Sequence, residues 1–266
     1  MTAEDDIQFL TGSRHRAEIL DELCTEPLRP TELCDRVNAT RTTIQRILAG
    51  FRDRKWVEKC DGDYRATVTG QRINERYQAF RTTVERAERF APIATHLGAI
   101  GEDLPPAAFE SGTITAASDQ EPLAAVDRVV EWLRESRGQH LRTATPIVAR
   151  AFNETAAALL EDGLSIDMVI DHGVLERSEE SFEPALERGR TDDRISVSVN
   201  PDPLPAGLMC RSDRAGVVVY DGTNNVRAVL ESSDPAVVDW VDEEFERIKA
   251  DARPLETVLG EAGEEW

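Results

Sequence analysis

The stretch from Ala39 to Phe51, Ala-Thr-Arg-Thr-Thr-Ile-Gln-Arg-Ile-Leu-Ala-Gly-Phe, admits little besides an amphipathic helix. Ile44, Ile47, Leu48 and Phe51 recur at three- and four-residue spacing and form one apolar face. Thr40 suits the N-cap, where its hydroxyl can accept an otherwise unpaired backbone N–H of the first turn. Arg41, Thr42, Thr43, Gln45 and Arg46 fall off the apolar face, near the N-terminal end. These are side chains that read base edges and phosphates: arginine meets guanine, glutamine meets adenine, and threonine meets a phosphate or a thymine methyl.

The flanking sequence fits one small domain. Residues 4–10 suggest a leading helix with Ile7 and Leu10 inward. Ser13 can cap a second helix on which Ile19, Leu20, Leu23 and Cys24 share a face. Thr31 to Val37 predicts a short helix, Asn38-Ala39 a turn, and Thr40 the start of the next helix. That is helix-turn-helix spacing, and Thr31 and Thr40 join the expected DNA contacts. After Trp56 the period changes. Val57–Cys60 and Tyr64–Val68 flank Asp61-Gly62-Asp63, a turn signal between two strands. The hairpin would be a wing, with Lys59 and Arg65 placed to touch phosphates. The expectation for residues 1–70 is an α+β winged helix-turn-helix domain, with double-stranded DNA as partner.

Thr69-Gly70 then opens a long helix. Ile73, Tyr77, Phe80, Val84, Ala87, Ala91 and Ala94 are spaced 4, 3, 4, 3, 4 and 3 apart, a heptad seam interrupted by Pro92. Residues 71–98 are therefore expected to link and dimerise, and Gly98–Pro106, with two glycines and two prolines, reads as an inter-domain linker. Strands expected at 113–118, 141–148, 165–170 and 195–199 alternate with helices at 122–136, 149–162 and 174–188. That series predicts an α/β domain over 99–254 with a mainly parallel mixed sheet. Strands at 207–211, 215–221 and 226–231 should add antiparallel hairpins. Asp234-Pro235 opens a last amphipathic helix, and 255–266 reads as an acidic tail.

Charge bears on the DNA reading. The formal net charge is −20, with 31 Lys+Arg against 51 Asp+Glu. Residues 11–90 hold 16 basic and 13 acidic residues, whereas residues 91–266 hold 15 and 35. Lysine occurs only at 55, 59 and 249. Acid excess with scarce lysine resembles the proteins of salt-in halophilic archaea. At molar salt the Debye length is about 3 Å, so a distant acidic domain barely repels DNA. The start Met-Thr-Ala-Glu-Asp-Asp carries no apolar run, and no stretch approaches a membrane span, so a cytoplasmic protein is expected. Cys24, Cys34, Cys60 and Cys210 form no Cys-x-x-Cys pair, and Cys24 and Cys34 are expected as buried structural thiols.

The chain resembles the archaeal transcriptional regulators named after the methanogenesis regulator Fil. The N-terminal likeness lies in Thr31-Glu32-Leu33, Thr40-Arg41-Thr42-Thr43-Ile44 and Val68-Thr69-Gly70. The more family-specific part is Asp202-Pro203-Leu204-Pro205-Ala206-Gly207-Leu208, then Val217-Val218-Val219-Tyr220-Asp221, then Ser233-Asp234-Pro235 and Trp240 to Arg247. A bulky residue usually stands where this chain has Ala206. The resemblance implies a winged helix followed by an α/β domain, and regulation of transcription as the class of function.

Other chemistries find little support in the residues. The α/β topology is similar to the half-domain of phospholipase D-like proteins, whose chemistry needs a histidine and, two residues on, a lysine. His15, His96, His140 and His172 are followed there by Ala17, Gly98, Arg142 and Val174. There is no phosphate loop and no Gly-x-Ser-x-Gly. Histidines and cysteines never cluster at metal-ligand spacing, so no metal or cofactor is expected. Thr143, Thr145, Asp171, His172 and Asn200 lie at or near predicted strand ends, where open α/β sheets bind ligands. They are the candidate contacts for a small-molecule effector, with polar turn residues as the plainer reading. The sequence thus predicts a homodimeric DNA-binding regulator that is not an enzyme and is modulated through its C-terminal domain. The alternative is a C-terminal domain that only assembles or recruits partners.

Overall fold

The computed structural model describes residues 2–147, 150–181 and 183–262. The chain divides into two compact units, Met1–Glu85 and Arg86–Trp266.

The first unit begins with α1 (Ala3–Thr11), α2 (Arg14–Thr25), α3 (Pro30–Val37) and α4 (Arg41–Asp53). Strands β1 (Val57–Cys60) and β2 (Asp63–Ala66) follow, and then the long α5 (Val68–Ala94). Ile19, Leu20, Leu33, Ile44 and Phe51 are fully buried at its centre. Ser13 is the N-cap of α2 by position, without a side-chain cap bond. The β1–β2 register pairs Cys60 with Asp63, leaving Asp61 and Gly62 as a two-residue turn with φ of 51° and 97°. Both are left-handed, the geometry an Asp-Gly hairpin turn requires.

Three expectations for this unit change. Ile7 points outward at 62 % exposure, because the inward stripe of the short α1 is formed by Leu10, by Asp6, which pairs with Arg54, and by Phe9. The Phe9 ring meets Phe51 edge-on and lies under the guanidinium groups of Arg16 and Arg54. Cys24 and Cys34 are half-buried and pack at the edge of the core. The heptad seam is not uniform: Ile73 and Tyr77 pack onto this core, while Phe80 and Val84 are 63 % and 40 % exposed.

The second unit opens with the end of α5. Ile93, Leu97 and Ile100 are buried in its core, so the Gly- and Pro-rich stretch is not a free linker. Its apolar residues anchor it, and residues 98–101 form one 3₁₀ turn. Then come α6 (Pro106–Ser111), β3 (Thr113–Ala116), α7 (Ala124–Arg134), β4 (His140–Thr145), α8 (Arg150–Glu161) and β5 (Ser165–Asp171). Where one helix is expected over 174–188, the described residues are helical at α9 (His172–Ser181) and α10 (Glu183–Thr191), and residue 182 lies outside the described residues. β6 (Ile195–Asn200), β7 (Gly207–Arg211), β8 (Arg214–Tyr220) and β9 (Val226–Ser232) lead to α11 (Pro235–Ala250), β10 (Arg253–Pro254) and α12 (Leu255–Ala262). Residues 148, 149 and 263–266, the ends of an expected strand, helix and tail, lie outside the described residues.

The sheet is mixed, with order β10-β6-β5-β4-β7-β8-β9-β3. The run β4-α8-β5-α9-α10-β6 is parallel, as its βαβ pattern predicts. The hairpins β7-β8 and β8-β9 are antiparallel, as expected, and β7 joins β4 antiparallel. One strand departs from the series: β3 does not enter the parallel run but pairs antiparallel with β9 at the far edge. The expected acidic tail also differs, since Leu255 is buried and α12 packs beside β6. One face of the sheet is covered by α7 and α8, where Trp132, Leu133, Leu141 and Ile166 are buried together. The other carries α11, whose Val237, Val241 and Phe245 bury against Ala144, Val169 and Val217. Among the described residues, no helix is long and apolar enough to cross a membrane.

Candidate nucleic-acid interface

The turn into α4 is built from two local devices. Asn38 ends α3 in a left-handed conformation, φ 48°, and its N–H donates to the Cys34 carbonyl. Thr40 is the N-cap of α4, as its sequence position predicts, and its hydroxyl accepts from the Thr43 amide. The Thr40 and Thr43 hydroxyls are themselves 3.0 Å apart. Both threonines are therefore engaged locally, and Thr43 is half-buried.

With Ile44, Ile47, Leu48 and Phe51 buried, Arg41, Thr42, Gln45, Arg46 and Arg52 of α4 are left in solvent. Thr31, in the first turn of α3, is exposed as well. Several arginines elsewhere in this unit are tied to carboxylates, among them Arg36 to Glu22 and Glu26, Arg54 to Asp6, and Arg72 to Glu75. Among the described residues, Arg41 and Arg46 form no ion pair. Burial lowers the pKa of Arg16, and nearby Arg46 and Arg54 lower it further by repulsion. Arg16 and Arg52 are basic positions that the base-contact pattern did not single out. Arg52 could have been found by extending the exposed face of α4 two turns further, whereas the position of Arg16 beside Arg46 is a tertiary fact.

The two wing residues differ. Lys59 is exposed and lies 5.6 Å from the Tyr64 ring centroid. Arg65 is paired with Glu58 across the hairpin at 2.7 Å, which raises its pKa. A phosphate reaching Arg65 must displace Glu58 or meet its charge.

The second set of predicted residues is not gathered into one site. Thr143 donates to the Leu208 carbonyl at 2.8 Å and is buried. Asp171 accepts from the Val174 amide at 2.8 Å, capping the start of α9, and also from the Leu204 amide. Asn200 donates to the Ile248 carbonyl and accepts from the Asp202 amide. His172 is exposed and faces Glu176 at 3.6 Å. These polar groups are spent on backbone or on a neighbour: Thr143 on strand β7, Asn200 on α11 and the loop after β6, Asp171 on α9 and that loop, and His172 on its own helix. Thr145 donates to the Ile147 carbonyl at 3.1 Å and also bonds Tyr220, whose hydroxyl burial pushes well above its usual pKa. Among the described residues no cluster of His, Cys, Asp and Glu could hold a metal ion.

Residues 4–89 match the family described as the HVO_A0261 N-terminal domain, and residues 122–251 match the middle domain of the methanogenesis regulatory protein FilR1. Among solved structures, the archaeal chromatin protein TrmBL2 aligns over 96 % of this chain and 100 % of its own, at 12 % identity and a TM-score of 0.44. The phospholipase D family member Nuc from Salmonella typhimurium aligns over 54 % and 98 %, at 13 % identity and 0.42. NucT from Helicobacter pylori aligns over 55 % and 99 %, at 10 % identity and 0.43. No curated protein matches the chain.

Proposed function

We propose that this chain, which belongs to the family of archaeal Fil-type regulators through its HVO_A0261 N-terminal and FilR1 middle domains, binds specific DNA as a homodimer and is modulated through its second unit. The carrying observation is the solvent face of α4. It presents Arg41, Gln45 and Arg46 on a helix locked by four buried apolar residues, and Arg41 and Arg46 form no ion pair among the described residues in a chain of net charge −20. Keeping such arginines unpaired serves an anionic partner, and the phosphate backbone is one. Arg41 and Gln45 lie early in the helix, where a recognition helix meets base edges. Thr31, Thr42, Lys59 and Arg65 are assigned to phosphates, with Arg65 weakened by Glu58. Thr40 and Thr43 hold the helix start.

Dimerisation is assigned to the outer part of α5. Phe80 and Val84 are exposed, and Ala87, Ala91 and Ala94 continue the same 4-3-4-3 spacing in solvent. A large exposed aromatic on a heptad stripe fits a second copy of the helix better than water. Binding-site selection from random duplexes with the intact protein tests the reading. A pseudo-palindrome with half-sites about 10 base pairs apart, or a multiple, is expected. A single asymmetric half-site would remove the dimer, and no enrichment would remove specific binding.

A further inference from the structure

A cavity of about 90 Å3 lies between the β4-β5-β6 part of the sheet and the helices α8 and α10. Met168 and Val197 form its floor, Phe152 and Ala156 its roof, and Leu255 one end. A second cavity, of about 50 Å3, adjoins it under α7, and Thr145, Ile147 and Phe152 line both. Together they approach the roughly 150 Å3 at which a dry apolar cavity takes up benzene.

Among the described residues the larger cavity is lined almost wholly by hydrocarbon, with Thr145, Asn153 and Arg188 as its polar side chains. The Thr145 hydroxyl is occupied by Ile147 and Tyr220. The other two have donors to spare. Asn153 Nδ2 is buried without a hydrogen-bond partner. Arg188, half-buried on α10, forms no ion pair or hydrogen bond among the described residues. Its neighbour Arg190 pairs with Glu187, so carboxylates are at hand, yet none serves Arg188. A buried amide donor without an acceptor is destabilising, because its lost hydration is not replaced. The Arg188 guanidinium is a further donor at the same lining, and one acceptor carrying negative charge could serve both.

We propose that this cavity binds a small hydrophobic monocarboxylate, with its hydrocarbon in the space beneath Phe152 and its carboxylate on Arg188 and Asn153 Nδ2. The walls exclude strongly polar anions, and Arg188, the cation among the described lining residues, makes the site selective against uncharged molecules of the same shape. This deepens the regulatory reading given above by naming the class of effector, and it places the site beneath α8 rather than at the strand ends.

The test uses the intact protein at high salt and calorimetric titration with benzoate and isovalerate, against benzyl alcohol and isoamyl alcohol as uncharged counterparts. The carboxylates should bind at least tenfold more tightly than the alcohols. Arg188→Met should remove that preference, lowering carboxylate affinity at least tenfold while leaving alcohol affinity within twofold. Arg188 has no partner to lose among the described residues, so the variant should fold, which circular dichroism checks. Asn153→Leu should weaken carboxylate binding without lowering the melting temperature. No binding of any probe, equal binding of acids and alcohols, or unchanged carboxylate affinity in Arg188→Met would overturn the proposal. Operator binding is measured separately with and without benzoate. Carboxylate binding that leaves DNA affinity unchanged upholds the site and removes modulation through it.

Discussion

Arg128 grips Glu231 with two parallel bonds, Nε to Oε2 at 2.6 Å and Nη2 to Oε1 at 2.9 Å, and so ties α7 to β9. Glu231 is almost fully buried, and Arg214 also reaches it, at 2.8 Å. Glu131 and Glu135 bind the outer side of Arg128. Removing one partner of a buried pair leaves a charge in a poor medium, at a cost of about 3–5 kcal/mol.

Arg128→Met should therefore destabilise the second unit by about 3 kcal/mol, the low end of that range because Arg214 remains. Hydrogen bonding to Arg128 holds the Glu135 carboxyl below its usual pKa. Its contribution is present above the ordinary carboxylate value of about 4.3 and is lost as pH falls through the lower folded value. The variant should accordingly show a shallower loss of stability on acidification. Urea melts of both proteins at neutral and acid pH check this; a loss below 1 kcal/mol with an unchanged acid limb would count against it.

How much was legible in the sequence follows the range of the interactions. The helix-turn-helix could be read because Thr40, Asn38 and the Ile44–Phe51 face act within one or two turns, and the wing because Asp61-Gly62 fixes its own turn. The βαβ run could be read from its alternation. The place of β3 could not, since a four-residue strand carries no sign of which edge it joins. Composition misled at Gly98–Pro106, where the turn residues are real but Leu97 and Ile100 hold the stretch to the core. Asp171 and Asn200 were correctly placed at strand ends, yet their partners, the amides of Leu204 and Asp202 and the Ile248 carbonyl, come from a loop and a helix that only tertiary folding supplies. The cavity with Asn153 and Arg188 had no sequence signal, because its lining comes from separate elements.

The exposed stripe of α5 carries a separable prediction. Tyr77 packs on the first core, so changing it would confound assembly with folding. Phe80→Glu and Val84→Glu alter solvent-facing positions and should leave the melting temperature of each unit nearly unchanged. Each should convert a dimer to a monomer in light scattering at high salt, with operator affinity falling about tenfold or more as the second half-site is lost. A monomeric wild type, or variants that remain dimeric, would contradict the assignment.

Salt gives a third outcome. Phosphate contacts release counterions, so DNA affinity normally falls steeply as salt rises. The acidic second unit should repel DNA at low salt and be screened at high salt. The intact protein should thus lose affinity less steeply than residues 1–90 alone, in titrations where circular dichroism shows both folded. Equal slopes would mean that the acidic unit plays no electrostatic part in DNA binding.

The most direct test of the central claim, that the solvent face of α4 reads bases, compares wild type with Arg41→Ala and Gln45→Ala on the selected operator and on a scrambled duplex of equal length. Both positions are exposed and Arg41 forms no ion pair among the described residues, so folding should be preserved. A bidentate base contact is worth about 1–3 kcal/mol of discrimination. Fluorescence anisotropy at constant salt should show operator affinity falling about 5- to 150-fold, the same energy as a ratio, while scrambled affinity falls much less. Equal losses on both duplexes would assign these residues to the phosphate backbone, and no loss on either would contradict the account of α4 as the reading helix.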